Sequence, residues 1–271
     1  NNQILAPKDP MVRFQSYLHG GTSSLLSVLS TFPVYKTVFR QQIHNTPVHS
    51  AVGQLYKEVM RTLSGTLLFG LQDTLLQHLS RTSHNINTSS SVLPALAGFG
   101  AGFVEALLFT PFERVQSVLQ NGQNDSRLPT HKSVLVRLKT ERLAAGFYRG
   151  FVPVTARNSL GSALYFGLKG PVCAAVAGGG LSPLVASFVS GAITSMTISL
   201  TLHPLSVLVA NMQAQVGREL KGVRGCWKEL MESRQWSIVL LYRGGSLVIL
   251  RSCITWGIAT ALYDRQEKRS G

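Results

Sequence analysis

Four ionisable side chains sit in stretches otherwise too apolar to keep them cheaply. Arg157 lies within the apolar run 152–168 and Arg251 within 245–263. Arg61 opens the run 62–69, and Glu105 stands six residues before Pro111. A charge at the centre of a membrane-spanning helix costs ~2.5–3.5 kcal/mol on insertion scales, so such residues are functional candidates by default. Arg157 comes twelve residues before Lys169, Arg251 twelve before Tyr263, and Arg61 twelve before Asp73. At matched heights on related helices, three guanidiniums facing one axis would trap an anion. The planar fork of arginine suits phosphate, because it donates two parallel hydrogen bonds. Glu105 adds a carboxylate that a pure phosphate ligand has no use for, whereas cargo with phosphates and a cationic ring would use both signs. Asn158, beside Arg157, suits a base or amide edge. The competing readings are structural: Arg157 pairing with Glu105, Arg251 snorkelling or pairing, and Arg61 displaced in register.

The elements that would hold these groups follow from composition. The chain has 271 residues, 26 Lys+Arg against 12 Asp+Glu, a net charge of +14, and only 14% charged residues against 45% hydrophobic. Mean hydropathy is +0.16. So apolar a chain is not disordered, and Cys173, Cys226 and Cys253 are too few and too far apart for a disulfide scaffold. A basic nucleic-acid binder would spread its charge over a surface, whereas a membrane protein confines it to loops. Gly170 to Gly217 contains no Asp, Glu, Lys or Arg, nor does Tyr17 to Tyr35. Between Ser83 and Val104 the only titratable side chain is His84. Runs of ~20 apolar residues cross a bilayer, so a polytopic membrane protein is expected.

The chain also repeats itself. Pro33, Pro111 and Pro204 each close an apolar stretch and are followed nine residues on by Gln42, Gln120 and Gln213. Tyr148-Arg149-Gly150 comes 37 residues after Pro111 and Tyr242-Arg243-Gly244 38 after Pro204, each opening another apolar span. A unit of span, proline kink, polar loop, Tyr-Arg-Gly and second span, used three times, gives six spans. The prolines each remove a helix hydrogen bond and bend the axis. Gly98-x-x-x-Gly102 and Ser187-x-x-x-Gly191 are small-residue motifs that let helices approach closely.

These motifs resemble the mitochondrial carrier family, whose signature of proline, acid and bases followed by an aromatic-base-glycine element occurs three times. Phe39-Arg-Gln-Gln42, Pro111-Phe-Glu-Arg-Val-Gln116, Tyr148-Arg-Gly150, Ala156-Arg-Asn158 and Thr255-Trp-Gly257 are similar to the subgroup that contains the mitochondrial NAD transporter. The third repeat, with Tyr242-Arg-Gly-Gly-Ser-Leu-Val-Ile-Leu-Arg251, is most similar to an orphan paralogue in it. The resemblance implies an all-α membrane protein of six transmembrane helices in three tandem two-helix repeats with pseudo-threefold symmetry. The repeats would be 1–86, 87–180 and 181–271. It implies a multi-pass carrier of the inner mitochondrial membrane that works by alternating access. The cargo would be a small anionic, nucleotide-like metabolite such as NAD. Membrane lipid, cardiolipin included, would be a partner, nucleic acid would not, and the chain would be a monomer. Neither cofactor nor metal is implied. By the same resemblance Arg157-Asn158 falls at the second substrate contact point, Arg251 at the third, and Met60-Arg61 near the first.

Two departures from the family stand out. The acid and base positions that would close the matrix side hold Tyr35 and Val38, Glu113 and Gln116, and Ser206 and Val209, so one charge of six remains. A matrix gate would then rest on packing around Tyr35, Glu113 and Gln116, braced by Gln42, Gln120 and Gln213. The opposite ring, with Lys169 in the second repeat beside Asp73 and Asp264, looks weak too. Secondly, Pro33 lies 36 residues before Phe69 but Pro111 55 before Phe166, so the first repeat lacks about 19 residues, Tyr-Arg-Gly among them. Gly53–Glu58 reads as a surface helix. Either it supplies the matrix half of the second span, bringing Lys57 and Glu58 towards the membrane, or that span is short. The chain starts at Asn1 without Met, so its N-terminus is expected to be incomplete or processed. The shortened repeat and the lost charges leave a non-transporting or defective isoform, acting as a binding or scaffold protein, as the alternative.

Smaller features have structural readings. Arg149 and Arg243 suit helix-end carbonyls, His203 suits packing at the Pro204 kink, and Tyr165-Phe166 suits lipid or interhelical packing. Gly178-Gly-Gly180 reads as a loop. No Cys-x-x-Cys, His-Glu-x-x-His or phosphate-loop motif occurs, so no enzyme is implied.

Overall fold

The computed structural model describes residues 17, 18, 22, 48–82, 91–119, 121, 131–141, 146–217, 221–242 and 245–270. Tyr35, Gln42, Gln120 and Pro33 lie outside the described residues, as do Arg243 and the side chain of Arg61. Every described element is a helix: α1 (Val48–Thr82), α2 (Val92–Leu119), α3 (His131–Thr140), α4 (Phe151–Ala177), α5 (Pro183–Ala214), α6 (Val223–Ser233), α7 (Ile238–Leu241) and α8 (Gly245–Ser270). Three of them, α2, α4 and α5, are long and apolar enough to cross a membrane, and α8 carries a shorter apolar run, Ile249–Leu262.

The long helices pack in the order α1, α2, α4, α5, α8, with α2 against α4 and α5 against α8 as the two most extensive pairings. Small residues make both pairings close. A Cβ on Gly98 would lie 2.6 Å from the Ser162 carbonyl oxygen, and one on Gly102 2.5 Å from that of Asn158. On the other pair, a Cβ on Gly191 would lie 2.8 Å from the Trp256 carbonyl oxygen. Gly98 and Gly191 each precede their proline by thirteen residues. The close approach therefore recurs at one height in both halves.

α2 runs through Pro111 and α5 through Pro204. A proline inside a helix has no N–H to give the carbonyl four residues earlier. Those carbonyls belong to Leu107 and Leu200. Tyr148 Oη donates to Leu107 O at 3.2 Å, and Tyr242 Oη to Leu200 O at 2.8 Å. The spacing between proline and Tyr-Arg-Gly thus has a direct cause: each tyrosine returns to the bend of its own repeat and supplies the bond the proline withdrew. We expect Tyr148→Phe and Tyr242→Phe each to cost about 1 kcal/mol. Thermal unfolding of the purified variants in detergent measures this.

The glycine of the motif also has a backbone reason. Gly150 caps the start of α4 with φ +78°, a left-handed conformation that strains any residue with a Cβ. Between them, Arg149 donates to the carbonyl of Met212 at 3.0 Å and to Gln215 Oε1 at 2.7 Å. It anchors the end of α5, as expected of a helix-end partner.

The short helices sit under the ends of the spans that precede them. On α3, Val134 and Leu138 pack against Val115 and Val118 of α2. On α6, Cys226, Leu230 and Met231 pack against Leu208 and Met212 of α5. In α1 there is no separate surface helix. Gly53–Glu58, read above as one, is continuous with the following span in a single 35-residue helix. At 1.5 Å per residue this is ~52 Å long, against ~30 Å of hydrocarbon. Nothing interrupts the helical pattern from Gly53 onward.

Candidate substrate cavity

Five helices line one cavity of about 520 Å³. α1 contributes Ser64 and Phe69, α2 Glu105 and Glu113, α4 Arg157, Asn158 and Tyr165, α5 His203 and Ser206, and α8 Arg251 and Trp256. Arg157, Asn158, Arg251 and Glu105, expected from the sequence as one site, all line it. Arg61 lies on α1 one turn from Ser64, and its side chain is outside the described residues. The formal charges among the described lining residues are two guanidiniums and two carboxylates. Serines at 64, 162, 195, 199, 206 and 252 supply most of the remaining polarity.

The pairing inside the cavity differs from the expectation. Arg157 does not meet Glu105. Its Nη2 donates to both carboxylate oxygens of Glu113, at 2.8 and 2.9 Å, and its Nε donates to Asn158 Oδ1 at 3.0 Å. Glu105 accepts instead from Ser64 Oγ, across to α1. The reason lies in what surrounds Glu113. The positions where the resemblance expects a cation hold Gln116 and Val209, and α5 contains neither Lys nor Arg. The carboxylate therefore turns into the cavity.

Two layers bound the cavity along its axis. On one side Phe69, Tyr165, Phe166 and Trp256 form an aromatic cluster, with Tyr165 and Trp256 rings 4.6 Å apart and Phe69 and Phe166 5.6 Å apart. Tyr165-Phe166 is thus interhelical packing. Tyr165 Oη lies 2.5 Å from Thr260 Oγ1. Since the Thr260 hydroxyl donates its single proton to Trp256 O, Tyr165 is the donor of that bond. Beyond the aromatic layer Lys169 Nζ meets Asp264 at 2.5 Å, joining α4 to α8. Lys169 thus bonds directly to Asp264, one of the two acids expected beside it.

On the other side the segments beyond Pro111 and Pro204 converge. Gln213 is buried, and its side-chain oxygen accepts from Ser117 Oγ at 3.0 Å, bracing α5 against α2. Gln116 is half-buried on α2 and does not line the cavity. The residue that sequence reasoning missed is Arg114. It is fully buried. Its Nε donates to Gly146 O at 3.1 Å, its Nη2 to Gln215 O at 2.6 Å, and its Nη1 to Gln213 O. With Arg149 it places two guanidiniums on the carbonyl end of α5, where the helix dipole favours cations. An arginine next to the gate acid but outside the acid-base positions was the available signal. His203 stacks on Tyr242 with ring centroids 5.0 Å apart, as a packing residue at the kink would.

The chain matches the family model for the mitochondrial carrier protein over residues 87–172 and 181–269. It is 42% identical to human solute carrier family 25 member 53, over 98% of this chain and 91% of that protein. It is 31% identical to the mouse mitochondrial nicotinamide adenine dinucleotide transporter SLC25A51, over 97% and 93%. It is 26% identical to mitochondrial citrate transporter A of Aspergillus niger, over 93% and 90%. The alignment to the human protein spans 284 positions, more than the 271 residues of this chain, so that relative carries residues absent here. Long apolar helices, a cavity among them that carries charged and hydroxyl side chains, and these matches lead to one conclusion: the chain belongs to the mitochondrial carrier family, as a multi-pass protein of the inner mitochondrial membrane.

Proposed function

We propose that the chain moves an anionic, nucleotide-like metabolite, with NAD the first candidate, by alternating access through the cavity described above. The observation that carries this reading is the convergence of Arg157, Asn158, Arg251 and Glu105 on one cavity. Guanidiniums suit phosphates and Glu105 suits a cationic ring. Its volume lies within the ~300–1,000 Å³ of small-molecule sites. Similarity supports the same direction, since a relative named as an NAD transporter is 31% identical and one named for citrate 26%.

The reading includes six spans in three repeats, 1–86, 87–180 and 181–271, about a pseudo-threefold axis. The matched stretches 87–172 and 181–269 and the recurrent proline–tyrosine bond support the second and third repeats. The inner gate would be the layer around Glu113, Gln116 and Gln213, completed by Tyr35, Gln42 and Gln120. The outer gate would be the aromatic cluster with Lys169 and Asp264. Arg61 would complete the cation set, a monomer would be the working unit, and cardiolipin would be among the surrounding lipids.

The test is uptake of labelled NAD into liposomes carrying this chain, beside a version with the absent first-repeat segment rebuilt. Saturable uptake by the chain itself is expected, with citrate failing to compete. A second reading, a non-transporting or defective isoform of the carrier fold, is favoured by the shortened first repeat; uptake by the rebuilt version alone would mark this chain as such a defective copy. Uptake by neither version would exclude NAD as the cargo.

A further inference from the structure

Arg157 faces the cavity already engaged. One carboxylate takes both of its Nη2 contacts, and the two side chains are 24% and 35% exposed. The pair is therefore neither locked into the core nor freely hydrated. Glu113 follows Pro111 by two residues, and the equivalent position after Pro204 is Ser206, which lines the same cavity without charge. Among the carboxylates of the described lining, Glu105 is held by Ser64, so Glu113 alone occupies a guanidinium.

We propose that Glu113 is a built-in counter-anion of Arg157, which an anionic group of the cargo must displace in order to bind. This rests on the reading of Arg157 as an anion ligand. A carboxylate and a phosphate oxygen compete for the same edge of one guanidinium. The phosphate carries more charge and more acceptor oxygens, so it takes the edge. The displaced carboxylate is left without its cation in a partly desolvated wall, and that cost is subtracted from the affinity of every ligand. A monoanionic carboxylate gains too little to overcome it, whereas a phosphate or pyrophosphate group does. Glu113 thus sets a threshold that selects phosphorylated cargo. The threshold is set on the segment beyond the proline bend, so filling the cavity also changes the charge balance of that segment.

The test is a thermal-shift titration of the purified full chain in detergent with inorganic pyrophosphate, which binds without any assumption about the organic part of the cargo. Glu113→Gln keeps the shape of the side chain and removes its charge. It is expected to lower the half-saturating pyrophosphate concentration about three- to tenfold, the range of a partly exposed ion pair. Acetate, silent on the wild-type chain, should begin to shift the variant. Arg157→Gln should raise the half-saturating concentration, and Glu113→Gln added to it should recover only the part due to the unbalanced carboxylate, leaving binding weaker than in the wild type. Should Glu113→Gln melt without ligand well below the wild type, Glu113→Ser carries the same test with the residue found at 206. Unchanged or weaker pyrophosphate binding by these Glu113 variants, with Arg157→Gln still weakened, would overturn the counter-anion role and leave the anion site standing. Unchanged binding by Arg157→Gln would overturn both.

Discussion

Arg157→Ala is expected to reduce NAD uptake roughly 30-fold or more in kcat/KM, since truncating one partner of a hydrogen-bonded charge pair in a binding site costs ~2 kcal/mol or more. Two effects act together. The phosphate loses its bidentate donor, and Glu113, with no other cation supplied by α5, becomes an unbalanced negative charge facing the incoming anion. Arg157→Lys should recover part of the rate, because an ammonium restores the charge without the planar fork. Initial uptake rates in liposomes at several NAD concentrations measure both. Equal rates for wild type and Arg157→Ala would remove Arg157 from the site.

The largest loss of stability is expected from Arg114→Ala. The guanidinium holds three carbonyls, of Gly146, Gln213 and Gln215, and is fully buried between α2 and the end of α5. Its removal leaves those carbonyls bare and opens a void the length of an arginine side chain. A single unsatisfied buried group costs ~1–3 kcal/mol, so a total of roughly 3–5 kcal/mol follows even if water reaches one of the carbonyls. At ~2–4 °C per kcal/mol for a chain of this size, the apparent Tm should fall by about 6–20 °C. Arg114→Met refills the volume but not the bonds. It should recover only the smaller, packing part of the loss. A Tm within 2 °C or so of wild type for Arg114→Ala would mean that the inner layer is held by packing alone.

What the sequence reveals about this molecule depends on whether a residue's role is fixed by its own repeat. The prolines, the tyrosines that answer them and the glycines thirteen residues before them act within one two-helix unit. Their spacing is therefore written along the chain and recurs. Charges in apolar runs are legible for a different reason: their cost has to be justified wherever they point. Arg157, Arg251 and Glu105 were found that way and share a cavity. The pairings were not legible: those of Lys169 and Arg114 cross between units, and that of Glu113, within its own unit, replaces a partner expected from the next one. Glu113 belongs by position to an interhelical ring, and only the absence of every ring cation sends it to Arg157. Lys169 meets Asp264 across 95 residues of sequence. Arg114 has no carboxylate to announce it, since its partners are backbone carbonyls that every residue possesses. The continuity of α1 was open in the sequence, which allowed either a fused or a short span. The structure has one continuous 35-residue helix there.

The balance of two guanidiniums and two carboxylates around the cavity has an electrical consequence. If the two gates alternate as proposed, the described lining carries no net formal charge of its own, and Arg61, as the proposed third cation, would offset one negative charge of the cargo. The work of the membrane potential is ~2.3 kcal/mol per elementary charge per 100 mV. An anion entering the negatively polarised compartment runs against it for whatever charge the lining does not offset. Net accumulation of such cargo must then be driven by its concentration gradient or by an equal charge leaving in exchange.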